Sequence, residues 1–216
     1  MNDLTERPVR SFVRREGRMT AAQKRALEKL WPVYGIDVDR GLAGKLPAPR
    51  NGRVTLEIGF GDGEALLALA KQSPQGRFIG IDPHRPGAGR LLLQLEREEV
   101  ENVRLIIGDA AELVPSIESK SLTQILVLFP DPWPKKRHHK RRLLTPEFLR
   151  ILGEKLQPQG GLHIATDWHE YAAEILNALD ETPNLCNEAG RLAFCARPDW
   201  RPVTKYEQRG LRLGHQ

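Results

Sequence analysis

From Val54 onward, short runs of aliphatic residues alternate with longer stretches whose apolar residues fall at helical spacing. Short apolar runs suit buried strands, whereas apolar residues at i, i+3 and i+4 suit one face of a helix. The pattern predicts strands at 54–58, 78–81, 103–107, 125–129 and 162–165, and helices at 64–72, 87–98, 146–156 and 168–179. Strand and helix in regular alternation imply βαβ units, hence a parallel sheet with helices on both faces. Upstream, Thr20-Ala21-Ala22-Gln23 has capping-box spacing, and Ala26, Leu27, Leu30 and Trp31 continue a short amphipathic helix that Pro32 is expected to stop. Residues 1–19 lack apolar periodicity and read as a flexible basic arm, leaving residues 20–216 as a single domain. The C-terminal residues are less regular, with antiparallel edge strands expected near 191–196 and 208–213. The fold class is therefore α/β, a Rossmann-like doubly wound sheet, mostly parallel with an antiparallel edge.

At 216 residues the chain supports one full-sized domain, and 40% hydrophobic with 28% charged residues excludes a disordered or fibrous protein. No apolar run approaches the roughly 20 residues a membrane-spanning helix needs, and the first residues carry arginines without a hydrophobic signal region, so a cytoplasmic protein with no membrane partner is expected. Cys186 and Cys195 form no Cys-x-x-Cys pair and read as reduced thiols.

Charge changes the picture because it is segregated. The net charge is +5, yet the run Lys135 to Arg142 (KKRHHKRR) carries six Lys/Arg, leaving −1 (5 − 6) for the rest. The first 25 residues add another +4 (seven Lys/Arg against three acids), so the remaining body stands at −5. Clustered cations on an acidic body suit a polyanion such as nucleic acid, where each phosphate contact releases counterions.

After the first strand comes Glu57-Ile58-Gly59-Phe60-Gly61-Asp62-Gly63. Gly59, Gly61 and Gly63 allow a tight turn that lets the backbone approach a nucleotide-like ligand. The spacing is not the G-x-G-x-x-G of dinucleotide binders, and Glu57 and Asp62 would repel a diphosphate at that turn. A cationic ligand fits better: S-adenosylmethionine, with its sulfonium and ammonium, matches where NAD does not. Asp82 ends the second strand, where a carboxylate can accept ribose hydroxyls, and Asp109-Ala110 ends the third, near an adenine amino group.

The fourth strand runs into Phe129-Pro130-Asp131-Pro132-Trp133-Pro134 and then the basic run. Prolines on both sides of Asp131 restrict its backbone, and Trp133 offers a face for stacking a base. Lys135 and the cations after it are expected to bind phosphates, while the adjacent His138 and His139 lack metal-ligand spacing, so no metal is expected.

These motifs resemble the bacterial tRNA (guanine-N7-)-methyltransferases, class I S-adenosylmethionine-dependent enzymes that modify a guanosine in the tRNA variable loop, position 46 in tRNA numbering. The likeness is carried by Arg10-Ser11-Phe12-Val13-Arg14-Arg15, Leu56 to Gly61, Phe129 to Trp133 with the basic run, Ala165-Thr166-Asp167, and Thr204-Lys205-Tyr206-Glu207. The resemblance implies that Glu57, Asp82, Asp109 and Asp131 contact the methyl donor and that Asp131 is catalytic. It implies further that Lys135, Asp167, Thr204, Lys205, Tyr206 and Glu207 hold the substrate, and that Arg137, His138, His139, Lys140, Arg141 and Arg142 touch tRNA. Asp82 stands where many relatives carry Glu, Pro134 and His139 replace the usual His and Asn, and Gln216 falls where the family continues into a hydrophobic segment, so a shortened closing strand is expected. The basic surface favours a monomer. Asp131 to Pro134 is also similar to the acid-Pro-Pro-aromatic loop of enzymes that methylate exocyclic base amines, an alternative on the same fold. A non-catalytic RNA-binding protein that keeps the cofactor fold is the other alternative.

Overall fold

The protein's structure, a computed structural model, describes residues 18–38, 41–46 and 52–212. Residues 1–17 of the expected basic arm lie outside the described residues.

The described chain runs α1 (Ala21–Tyr34), β1 (Val54–Ile58), α2 (Glu64–Gln72), β2 (Arg77–Ile81), α3 (Arg85–Arg97), β3 (Val103–Ile106), α4 (Ala110–Leu113), β4 (Leu122–Leu128), α5 (Pro146–Lys155), β5 (Leu156–Ala165), α6 (His169–Asp180) and α7 (Lys205–Arg212). The five strands form one sheet in the order β3-β2-β1-β4-β5, every pairing parallel. Strand order reverses between β1 and β4, and in open parallel sheets the crevice beyond the carboxyl ends at such a reversal is where ligands bind.

Alternation along the strands builds a core on each face. Leu56, Ile58, Ile125 and Val127 pack with Phe148, Leu149, Leu152, Tyr171 and Ile175 on the α5–α6 side. Leu126, Leu128, Val103 and Leu105 pack with Leu66, Leu91, Leu92 and Leu27 on the α1–α2–α3 side. Burial on both faces explains why the strands read as nearly continuous aliphatic runs.

Three expectations are corrected. Pro32 does not end α1; it sits inside the helix, exposed, two residues before the buried Tyr34. The Glu28 carbonyl that Pro32 cannot bond belongs to an exposed residue, so water can satisfy it. The edge strand expected near 208–213 is absent, since α7 occupies most of it, and residues 191–196 form turns and irregular backbone. Among the described residues the sheet has no antiparallel member. A T-x-x-E signal, Thr204 to Glu207, marks the α7 start: the Thr204 hydroxyl accepts from Glu207 N at 3.2 Å. Finally, β5 begins at Leu156 rather than 162, because the register jumps from Leu122↔Leu156 to Gln124↔Gly161, five residues of β5 against two of β4, across a stretch that contains Pro158 and Gln159. Proline is tolerated there because β5 lies at the sheet edge. No helix among the described residues is long and apolar enough to cross a membrane.

Candidate active site

The end of β1 is pinned before the glycine turn begins. Gly59 N donates to the Ile81 carbonyl at 2.8 Å, and Gly61 N donates to Asp82 Oδ2 at 2.8 Å. Asp82 Oδ1 accepts from His84 N at 2.7 Å, so this carboxylate ties the turn to the entry of α3. Gly63 adopts φ +79° as the N-cap of α2, and a Cβ there would collide with Leu91; one on Gly87 would strike the Gly61 carbonyl. Glycine is therefore required at both places, by backbone conformation at the first and by contact of α3 with the turn at the second.

Three acids gather around this turn. Glu57 is 2% exposed, and its Oε2 has no hydrogen-bond partner among the described residues. Burial, with a smaller contribution from the Asp82 charge, pushes its carboxyl up to about 8. Asp82 is also raised, first by burial and in lesser part by the charge of Asp131, against the lowering effect of its two backbone hydrogen bonds. Glu57, Asp82 and Asp131 thus sense one another in sequence although they come from three strand ends. Asp109 is buried and caps α4, accepting from Ala111 N at 3.0 Å; Ala110 begins that helix.

Asp131 is exposed at the end of β4. Parallel pairing of Ile58 with Val127 sets its loop beside the glycine turn. On either side of it Phe129 and Trp133 adopt φ of 53° and 47°, unusual for bulky residues and held here by the surroundings. Phe129 N donates to the Ala165 carbonyl at 2.7 Å, and the Arg201 guanidinium lies 5.9 Å from the Phe129 ring.

The basic run is not a loose tail. Lys136–Arg141 forms a 3-10 helix that folds back on the loop, with Arg141 5.1 Å from the Trp133 ring centroid and His138 edge-on to that ring at 5.9 Å. The face expected to stack a base therefore already carries a guanidinium. Lys135, Lys136, Arg137 and Lys140 are exposed, and His138 and His139 half-buried. Partial burial and the neighbouring Arg137, Arg141 and Lys135 hold the His138 imidazole below its ordinary value, so it adds little charge at neutral pH. Arg142 departs from the expected tRNA contact: its side chain is 4% exposed and paired with Glu170 and Glu174, which leaves it no path to a phosphate. His139 also faces these acids, Nε2 3.7 Å from Glu170 and Nδ1 3.9 Å from Glu174. The trio has metal-ligand donors, and the Arg142 guanidinium pairs with both of its carboxylates.

The remaining substrate candidates sit at the same rim. Asp167 is exposed two residues beyond β5. Thr204 is buried as the cap of α7, and Lys205 joins α7 to the glycine turn by an ion pair with Glu64, whose Oε2 also accepts from Lys205 N at 3.3 Å. Tyr206 is 68% exposed. Glu207 takes a bidentate contact from the buried Arg201, at 2.7 and 2.8 Å, so it holds α7 in place. Arg201 and Glu64 were not anticipated as parts of the site: Glu64 meets Lys205 across 141 residues of chain, whereas Arg201 meets Glu207 six residues on, with no regular spacing to mark the pair.

A buried carboxylate with an orphaned oxygen is costly unless a cation or proton meets it. The cationic methionine portion of S-adenosylmethionine fits this acid-lined turn, whereas a diphosphate does not. A parallel sheet with its order reversal beside such a turn defines a class I S-adenosylmethionine-dependent methyltransferase. The Methyltransf_4 methyltransferase family model matches residues 51–216. The chain is 49% identical to the tRNA (guanine-N(7)-)-methyltransferase of Alkalilimnicola ehrlichii over 98% of this chain and 90% of that protein. It is 49% identical to those of Halorhodospira halophila, over 97% and 92% of the two chains, and Methylococcus capsulatus, over 100% and 94%. The chain belongs to the tRNA (guanine-N7-)-methyltransferase family.

Proposed function

We propose that this protein methylates N7 of a guanine in the tRNA variable loop, at position 46, using S-adenosylmethionine in the cytoplasm as a monomer. The observation that carries the reading is the β1–β4 pairing, which sets an acid-lined turn and Asp131 beside a ridge of exposed cations. S-adenosylmethionine, when bound, supplies an electrophilic methyl group on a sulfonium. Glu57 meets the cationic part of the ligand, Asp82 and Asp109 stand where the ribose hydroxyls and the adenine amine are read, and Gly59, Gly61 and Gly63 keep the turn free of side chains. Guanine N7 carries a lone pair and loses no proton, so no residue has to act as general base. Asp131 instead orients the guanine, and its carboxylate stabilises the positive charge that appears on the base. Asp167, Thr204, Lys205 and Tyr206 line the substrate side of the rim.

The regiochemistry is tested by incubating tRNA lacking modifications with methyl-labelled donor, then treating with borohydride and aniline. Strand scission at the variable-loop guanosine is expected; a methylated product that resists cleavage would point to an exocyclic amine. Replacing Lys136, Arg137 and Lys140 together by Gln is expected to reduce the slope of log affinity for tRNA against log salt by about two to three, with donor binding unchanged. An unaltered slope would move the RNA contact elsewhere.

A further inference from the structure

A buried side chain reaches the backbone that follows Asp131. Arg142 Nε donates to the Pro132 carbonyl at 2.8 Å. Its Nη1 pairs with Glu174, its Nη2 stands 3.5 Å from Glu170, and its guanidinium carbon lies 4.9 Å from the Tyr171 ring centroid. Tyr171 is itself fixed, 1% exposed, its hydroxyl accepting from Leu144 N at 3.1 Å. One helix, α6, thus supplies two carboxylates one turn apart and the ring between them, while the guanidinium reaches across to the carbonyl next to Asp131.

We infer that Arg142 is a positioning residue for the methyl transfer: it ties the loop after Asp131 to Glu170 and Glu174 of α6 and thereby sets where the Asp131 carboxylate stands. The inference rests on the reading of Asp131 as the catalytic residue. Arg142 belongs to the basic run by sequence but differs from its neighbours in chemistry. Its charge is cancelled by two carboxylates, and engaging a phosphate would require it to leave a buried ion pair and the Pro132 carbonyl. The exposed Lys136, Arg137 and Lys140 remain for the polyanion. The left-handed backbone at Phe129 and Trp133 requires such a restraint, because bulky residues adopt it only where tertiary contacts impose it. A displacement of about 1 Å at a reacting group can cost on the order of 100-fold in rate.

Two substitutions separate positioning from phosphate binding. R142K keeps the charge but loses the planar fork that spans a carbonyl and two carboxylates. It is expected to lower kcat on the order of 100-fold, with KM for tRNA and the salt slope of tRNA affinity unchanged. E174Q, at a half-exposed surface position, leaves the arginine in place and weakens its anchor; kcat is expected to fall, on the order of 10-fold, with tRNA affinity unchanged. If Arg142 served tRNA instead, R142K would retain kcat, and E174Q, by removing a competing carboxylate, would tighten tRNA binding without slowing turnover; either result overturns the inference. The same variants are measured beside D131N. A D131N enzyme slowed about 100- to 1,000-fold, whose residual rate is not lowered further by adding R142K, is the result expected of a residue acting through Asp131. A D131N of parental activity would instead overturn the reading of Asp131 itself, and a slowed D131N beside a fully active R142K would overturn only the role of Arg142.

Discussion

Replacing Asp131 by asparagine is expected to lower kcat by about 100- to 1,000-fold while tRNA affinity stays within about 2-fold, the range seen when one electrostatic stabiliser of a developing charge is removed. Asparagine preserves size, removes the charge and exchanges one acceptor oxygen for an amide donor. That charge sits in an acidic neighbourhood, where Asp82 registers it across the strand ends. It belongs to an exposed residue of a loop pinned at both flanks by backbone that is left-handed at Phe129 and Trp133. A carboxylate so fixed is available at no reorganisation cost when positive charge moves onto the guanine. Single-turnover rates at saturating donor, set against tRNA binding by filter retention, separate the two quantities. Equal losses in both would reduce Asp131 to a binding residue.

The second large effect concerns Glu57→Gln, which is expected to stabilise the protein without donor and to weaken donor binding. Folding raises the Glu57 carboxyl from its ordinary value of 4.5 to about 8, chiefly by burial. Between those values the folded state holds a proton that the unfolded state has released, so this group's contribution to stability is full below pH 4.5 and declines as pH rises to about 8. The decline amounts to a few kcal/mol, on the order of 1.4 kcal/mol for each pH unit crossed. In thermal melts compared between variant and parent, the advantage of the glutamine protein should therefore grow from acid to neutral pH. A difference independent of pH would show that Glu57 is ionised in the folded state. A cationic ligand meeting Oε2 draws the carboxyl back to its charged form, so donor binding near pH 7 should release close to one proton from the parent and none through this position in the variant, with affinity reduced on the order of 10- to 100-fold. Calorimetry in buffers of different ionisation enthalpy counts those protons directly.

Much of the site was legible in the sequence because its signals are local. A glycine turn after an aliphatic run, an acid at each following strand end, and prolines bracketing Asp131 are spacings within a few residues, and backbone sterics and charge give them meaning without reference to a partner. The α7 helix shows a signal present but unused: Thr204-Lys205-Tyr206-Glu207 carries cap spacing, while a closing strand was expected at 208–213, over the helical residues that follow it. Pro32 shows a local rule overridden, since a helix near its end can forgo one hydrogen bond where the freed carbonyl faces water.

Arg142 marks the boundary between the two kinds of information. Within KKRHHKRR its charge is indistinguishable from that of Arg137 or Arg141, and the acids that neutralise it, Glu170 and Glu174, lie about thirty residues later on a separate helix. By itself the sequence determined where the five parallel strands and most of the helices lie, which faces are apolar, and that an acidic turn and a cationic run exist, because periodicity and composition encode each segment's own preferences. Only the tertiary structure decided that β1 lies against β4 as well as β2, that Glu57, Asp82 and Asp131 share one electrostatic neighbourhood, and which cations of the run face solvent. Those outcomes depend on long-range pairing and burial: a side chain's charge is written in its residue type, but whether that charge is cancelled depends on what the fold brings beside it.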